Sequence, residues 1–67
     1  MKTLPERLIY ARTRLDMSQG EVAKAVGMKQ PSYGQIESGE TKKSKFIYDI
    51  AKVLKVSPEW LIDGIGV

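Results

Sequence analysis

The chain has 67 residues, a formal net charge of +3, and neither cysteine nor histidine. This length allows one small domain, and the missing residue types exclude disulfides, thiolate or imidazole metal sites and histidine-dependent catalysis. No apolar run approaches the roughly 20 residues that a transmembrane helix needs. The charged residues in the N-terminal segment are unlike a signal peptide. We expect one domain over residues 1–67, cytoplasmic, with no catalytic residues, metal or cofactor.

The first predicted element is a helix from about Thr3 to Asp16. Thr3 and Glu6 have the spacing of a capping box, and Pro5 falls in the first turn, where its missing N–H has no helical partner. Apolar residues recur at helical spacing and predict a buried stripe. The members of this stripe are Leu4, Leu8, Ala11 and Leu15.

Two short helices follow. Ser18 and Glu21 form a second capping-box pattern, which opens a helix through Val26. Gly27 is the residue expected to end this helix in a left-handed conformation. The inward residues of this second helix are predicted to be Val22, Ala23 and Val26.

The third helix is predicted from about Gln30 to Ser38, with Pro31 in its first turn and Gly39 after its end. Tyr33 and Ile36 are expected to face the core.

The C-terminal part predicts two further helices. The fourth should run from Lys45 to Leu54, and the last should begin after Ser57 as N-cap and stop at Gly64. The fourth helix is expected to carry Phe46, Ile47, Ile50, Ala51 and Leu54 on one side. The last is expected to carry Trp60, Leu61 and Ile62, with Trp60 in the core. No segment shows convincing strand alternation, so the predicted fold class is all-α, with five helices.

Residues of about 18–38 have the proportions of a helix-turn-helix, in which the second helix enters the DNA major groove. Pro31, Ser32 and Gln35 share an outward face, with Gln30 at its exposed end. Glutamine amides pair bidentately with adenine, and Gly34 would let the helix backbone approach the groove closely. Exposed glutamines are also ordinary soluble surface, so only the arrangement of these residues favours DNA binding.

The positive charge is clustered in two places, which a polyphosphate backbone would attract. One group is early in the chain and the other lies between the third and fourth helices. The two groups are Arg7, Arg12 and Arg14, and Lys42, Lys43 and Lys45. The alternative is that these residues form a solvated helix face and a solvated loop that bind no partner.

Nearly the whole chain, from the first helix to Asp63-Gly64, carries a resemblance whose most specific parts are five elements. They are Ser18-Gln19, Gly27, Ile36-Glu37-Ser38-Gly39, Thr41-Lys42-Lys43 and Trp60-Leu61-Ile62. With them, the chain resembles the Cro/CI-type (XRE-like) helix-turn-helix family of lambdoid phage repressors. The resemblance implies a compact, lambda-repressor-like five-helix domain that binds a palindromic double-stranded operator as a dimer and represses transcription. From the resemblance we expect no catalytic activity, no small-molecule ligand and no binding to a membrane.

The same resemblance implies roles for individual residues. The residues expected to contact bases are Lys29, Gln30, Pro31 and Gln35. Those expected to contact phosphates are Gln19, Ser32, Lys42, Lys43 and Lys45. Arg12 and Glu37 match a structural ion pair of the family. Pro31 stands where the family has a hydrogen-bonding residue, so only an apolar contact, such as a thymine methyl, is expected there. Lys45 replaces an arginine, so a minor-groove contact is less strongly implied.

A weak homodimer, strengthened on DNA, is expected because one short helix reads only a few base pairs. The predicted interface residues are Lys55, Val56, Ser57, Pro58 and Glu59. The favoured function is that of a phage or prophage Cro-like repressor in a bacterial host, where it would associate with the nucleoid. An antitoxin that represses its own operon is the alternative, and a toxin reading frame beside the gene would distinguish it. A Cro relative whose C-terminal half forms strands stays open, although FIYDIAKVL has helical spacing.

Overall fold

The computed structural model describes residues 3–41 and 44–65. The described residues form five helices and no strand, which confirms the all-α prediction. In chain order these helices are α1 (Leu4–Arg14), α2 (Gln19–Val26), α3 (Gln30–Ser38), α4 (Ile47–Leu54) and α5 (Pro58–Asp63).

Helix α1 begins as predicted and ends two residues early. The Thr3 side chain accepts a hydrogen bond from the Glu6 amide, and the Glu6 carboxylate accepts one from the Thr3 amide. The helix stops at Arg14, so Leu15 is the C-cap residue and is 38% exposed. The predicted buried stripe is therefore wrong at Leu15, because the backbone leaves the helix before this residue can turn inward.

Helices α2 and α3 have the predicted bounds. Ser18 and Glu21 form a complete capping box at the start of α2. Gly27 ends α2 with φ 79°, and Gly39 ends α3 with φ 88°, both in the left-handed region that favours glycine.

Helices α4 and α5 differ from the prediction in detail. Helix α4 begins at Ile47 instead of Lys45, since the chain is in a turn whose Ser44 hydroxyl accepts a hydrogen bond from the Phe46 amide. Helix α5 is capped by Ser57, whose hydroxyl accepts from the Trp60 amide. Leu61 of this helix is fully buried, whereas Ile62 is 40% exposed.

One hydrophobic core joins all five helices. α4 packs against α2 and α5, while α1 packs against α3 and α5 and α2 packs against α3. The fully buried side chains of largest volume are Tyr33, Leu8, Ile36, Ile50, Leu61 and Val22. The core thus holds α3 by its inner side and leaves its outer side open to solvent.

Within residues 3–41 and 44–65, none of the helices has the length and apolar composition to cross a membrane. The same residues contain no group of three or more acidic side chains placed to bind a metal ion.

Candidate nucleic-acid interface

A tight turn sets the angle between α2 and α3. The Gly27 amide donates to the Lys24 carbonyl and the Met28 amide to the Ala23 carbonyl, at 3.2 and 2.8 Å. These bonds close the end of α2 and direct the chain into α3 after only three residues, Gly27, Met28 and Lys29. The arrangement is that of a helix-turn-helix.

The two sides of α3 have different surroundings. Tyr33, Ile36 and Glu37 are buried against the other helices. The residues of α3 and its N-cap that are predicted to contact DNA are all exposed, and they are Lys29, Gln30, Pro31, Ser32 and Gln35. The structure therefore brings these five side chains to one solvent-facing surface, here called the α3 outer face. Their contacts with bases or phosphates stay predictions.

A buried carboxylate fixes α3 to the two preceding helices. Arg12 Nε donates to Glu37 Oε2 at 2.7 Å, and its Nη2 donates to Oε1 at 3.1 Å. Gln19 Nε2 also donates to Glu37 Oε1, at 3.0 Å. Arg12 Nη1 further donates to the Met17 carbonyl at 2.9 Å. The ion pair that the resemblance implies is present, and Gln19 joins α2 to the same carboxylate.

The surroundings of Glu37 shift three pKa values. Burial by itself raises the pKa of Glu37, but the hydrogen bonds from Arg12 and Gln19 and the nearby Tyr33 hydroxyl outweigh it, so the pKa is lowered. The bond to Glu37 raises the pKa of Arg12. Burial, followed by the adjacent Glu37 carboxylate, raises the pKa of Tyr33. No hydrogen bond of standard geometry reaches the Tyr33 hydroxyl within the described residues.

The space beside Gly34 faces α2. A Cβ atom on Gly34 would meet Gln19 Oε1 at 3.6 Å, an ordinary contact. The role of Gly34 in letting the helix backbone approach DNA stays a prediction, since Gln19 is itself one of the residues expected to contact phosphate.

The start of α3 has no side-chain cap. Thr3, Ser18 and Ser57 cap α1, α2 and α5 with side-chain hydrogen bonds, whereas the N-cap residues Lys29 of α3 and Phe46 of α4 make none. The first turn of a helix carries unpaired amides and a partial positive charge. The backbone amides at the N-terminus of α3 therefore receive no hydrogen bond from the side chain of their N-cap residue, Lys29.

Two of the early arginines have structural roles, which corrects the view of them as a cluster of free charge. Arg7 is buried and donates from Nε to the Leu61 carbonyl at 2.8 Å and from Nη2 to the Ile62 carbonyl at 2.9 Å. Arg12 is bound to Glu37. Arg14 remains exposed, with its guanidinium 5.5 Å from the Tyr10 ring centroid.

The burial of Arg7 has a signal in the sequence that the prediction missed. It lies three residues after Leu4 and four before Ala11, on the apolar stripe of α1. A charged residue at such a position needs carbonyl or carboxylate partners.

Of the three clustered lysines, the structure describes one. Lys45 is exposed, with its Nζ 5.5 Å from the Phe46 ring centroid. Lys42 and Lys43 lie outside the described residues.

The predicted dimer residues form the corner between α4 and α5. Lys55 ends α4 with φ 60°, Ser57 caps α5, and Glu59 is exposed. Beside the corner is a shallow depression, which we call the α4–α5 depression. It is lined by Tyr48, Asp49, Lys52, Val56 and Pro58.

Three residues of this depression, Tyr48, Asp49 and Lys52, are not among the predicted interface residues. Tyr48 is 65% exposed, an unusual position for a large aromatic side chain. The sequence indicates this exposure, because Tyr48 lies between the core residues Ile47 and Ile50 and is not part of the apolar stripe of α4.

The helix-turn-helix family model matches residues 8–61, and the chain belongs to this family. It is 42% identical over 66 residues to the HTH-type transcriptional regulators for conjugative elements R391 of Providencia rettgeri and SXT of Vibrio cholerae. It is also 35% identical over 63 residues to the HTH-type transcriptional regulator DicA of Escherichia coli. These matches cover 98% and 92% of this chain, but only 31% and 47% of the respective relatives.

Among solved structures, the fold is similar to the P22 c2 repressor protein in complex with a synthetic operator. The TM-score is 0.88 at 28% identity, covering 96% of this chain and 98% of that one. The resemblance to the lambdoid repressors and the predicted five-helix fold are thereby confirmed.

Proposed function

We propose that this chain is a sequence-specific DNA-binding domain that regulates transcription, with α3 in the major groove. The observation that carries the proposal is the α3 outer face, five exposed side chains on a helix whose opposite side is buried and anchored through Glu37. A helix held in this way can enter a groove without losing its packing on the domain. Gln30 and Gln35 supply the donor–acceptor pairs that recognise adenine.

Contacts to phosphates would orient α3 in the groove. Gln19 lies at the start of α2 with its amide nitrogen bound to Glu37. Ser32 and Lys45 are exposed, and Lys42 and Lys43 adjoin Lys45 in sequence. Such contacts set register without reading sequence.

The names of the similar proteins support this function. Two regulate conjugative elements, and the structural neighbour is a repressor bound to an operator. We propose that this chain likewise represses transcription of a mobile element such as a phage or prophage, in the cytoplasm of a bacterial host and bound to the nucleoid. The proposed activity needs no catalysis, cofactor or small-molecule ligand.

We further propose that two copies bind a palindromic operator. A two-fold axis would place two α3 helices roughly 34 Å apart, in successive major grooves. The α4–α5 depression and the predicted residues around it suit this contact, because Tyr48 is exposed and Asp49 and Lys52 offer opposite charges to a second copy. An interface of this size is small, so the dimer should be weak without DNA.

Selection of bound sites from random duplex DNA tests the proposal. The expected result is a short palindromic consensus. Recovery of unenriched sequences would contradict sequence-specific binding, and a non-palindromic consensus would contradict the two-fold arrangement alone.

Sedimentation equilibrium with and without the selected site tests the dimer. We expect mostly monomer without DNA and two chains per site with it. Tyr48→Ala should reduce the cooperativity of DNA binding, while the matched change Ile9→Ala, of an exposed apolar residue on α1, should not. One chain bound per full site, with no dependence on the second half-site, would contradict a dimer.

A further inference from the structure

The side chain of Gln30 occupies the space beside Gly20. Gly20 lies in the first turn of α2, and a Cβ atom added there would be 3.1 Å from Oε1 and 3.6 Å from Cδ of Gln30. The next nearest atom, Ser18 Oγ, is 3.9 Å away. The one tight contact that a side chain at position 20 would meet is therefore the amide of Gln30.

The backbone does not explain why residue 20 is glycine. Gly27 and Gly39 have left-handed conformations that favour glycine, whereas Gly20 lies within the regular helix α2. At such a position alanine is the better helix former. The space that glycine leaves for Gln30 is the structural feature that distinguishes this position.

Packing alone directs the Gln30 amide. Within the described residues this amide makes no hydrogen bond, unlike that of Gln19, which is held by Glu37. Gln30 is exposed, so its amide direction is set by its rotamer and by the α2 surface beneath it.

The geometry points to Gly20 as a positioning residue for Gln30. Because residue 20 has no side chain, the Gln30 amide can lie against the first turn of α2, and this fixes the direction from which it meets a base pair. Alanine at position 20 would require the Gln30 amide to move away from α2, because its Cβ atom would be only 3.1 Å from Oε1. The inference rests on the proposed function, in which Gln30 reads a base.

The test uses four variants of the chain. They are Gly20→Ala, Gln30→Ala, the double variant with both changes, and Lys24→Ala as control. Lys24 is an exposed residue of the same helix and lies outside the predicted DNA contacts. Two readouts are needed, the NMR resonances of the Gln30 side-chain amide without DNA, and the base preference at each position of the site selected from random duplex DNA.

We expect Gly20→Ala to keep the fold, move the Gln30 amide resonances and change the preference at one base-pair position by about tenfold. In the Gln30→Ala background, the change at position 20 should have no further effect on this preference. Lys24→Ala should leave both the amide resonances and the preference unchanged.

Three results would overturn the positioning role alone: unmoved amide resonances in Gly20→Ala, an equal loss of affinity for all base pairs, or a preference change that persists without Gln30. Two other results would reach further. If Gln30→Ala does not alter base preference, the proposed base contact fails and the positioning role with it. If the unmodified chain selects no site, the proposed function itself fails.

Discussion

The two faces of α3 both carry polar side chains, but they use them differently. On the inner face, the Glu37 carboxylate accepts hydrogen bonds from Arg12 and Gln19 and is almost completely buried. On the outer face, the side-chain amides of Gln30 and Gln35 have no hydrogen-bond partner within the described residues. Polar groups on the inner face therefore hold the domain together, and those on the outer face remain available to a ligand. Substitutions on the two faces should separate stability from DNA binding.

The largest effect is expected on the inner face. Glu37→Gln should lower the free energy of unfolding by about 3 kcal/mol, because Arg12 would lose its charged partner in a mostly buried position. Urea denaturation measures the loss. Glu40→Gln, at an exposed acid just after α3, is the matched control and should change stability by less than about 0.5 kcal/mol. Similar values for the two variants would contradict the structural role of Glu37.

Acid should weaken the same face. The pKa of Glu37 is lowered in the folded chain, so its contribution to stability is complete above the unfolded-state pKa, about 4.3, and is lost as the pH falls through the lower folded value. We expect the free energy of unfolding to fall below about pH 4, measured by urea denaturation across a pH series. Glu37→Gln should remove that part of the pH dependence. An unchanged acid slope in this variant would assign it to other carboxylates.

The outer face should show the opposite pattern. Gln35→Ala should weaken binding to the preferred site by about 1–3 kcal/mol, with nonspecific affinity and the free energy of unfolding nearly unchanged. Gln30→Ala should behave in the same way. Fluorescence anisotropy with the selected site and with random duplex measures the two affinities. Equal losses on both DNAs would reassign these glutamines to backbone positioning.

The lysines after α3 should affect all DNA alike. Lys42→Ala, Lys43→Ala and Lys45→Ala should each lower the slope of log affinity against log salt by about one unit, because each would remove a phosphate contact. Lys24→Ala, an exposed lysine of α2 outside the predicted contacts, is the control. If none of the three changes alters this slope, the lysines do not contact phosphates and form a solvated loop.

The smallest effect is expected at the boundary of the two faces. Gly34→Ala should raise the free energy of unfolding by up to about 1 kcal/mol, through helix propensity, since Gln19 leaves room for a methyl group. Gly39→Ala should instead be destabilising, because residue 39 has φ 88°. Thermal melts of the two variants should therefore shift in opposite directions.

Sequence patterns gave the bounds of α3 because the signals are local. Pro31 and Gly39 mark the two ends of α3, and the capping box at Ser18 marks the start of α2. The early end of α1 was missed, since Leu15 is apolar and at helical spacing, and only the fold shows that the chain turns there.

The sequence predicts which residues of the candidate site are exposed. It does not predict the contacts between them. The exposed positions of α3 follow from helical periodicity once Tyr33 and Ile36 are assigned to the core. The contact between Gln30 and Gly20 depends on the angle between two helices, which local patterns do not contain. The α4–α5 depression likewise arises from residues of two helices brought together by the fold.

The anchoring of α5 by Arg7 gives the domain a spectroscopic reporter. Helix α5 has six residues, too few for an isolated helix to be stable, so it depends on Leu61 in the core and on the two bonds that Arg7 donates to its last carbonyls. Trp60 is the single tryptophan of the chain, and its ring centroid lies 6.2 Å from that of Tyr10 on α1. Separation of α5 from α1 would expose this indole to water, so its emission would report the opening of this helix.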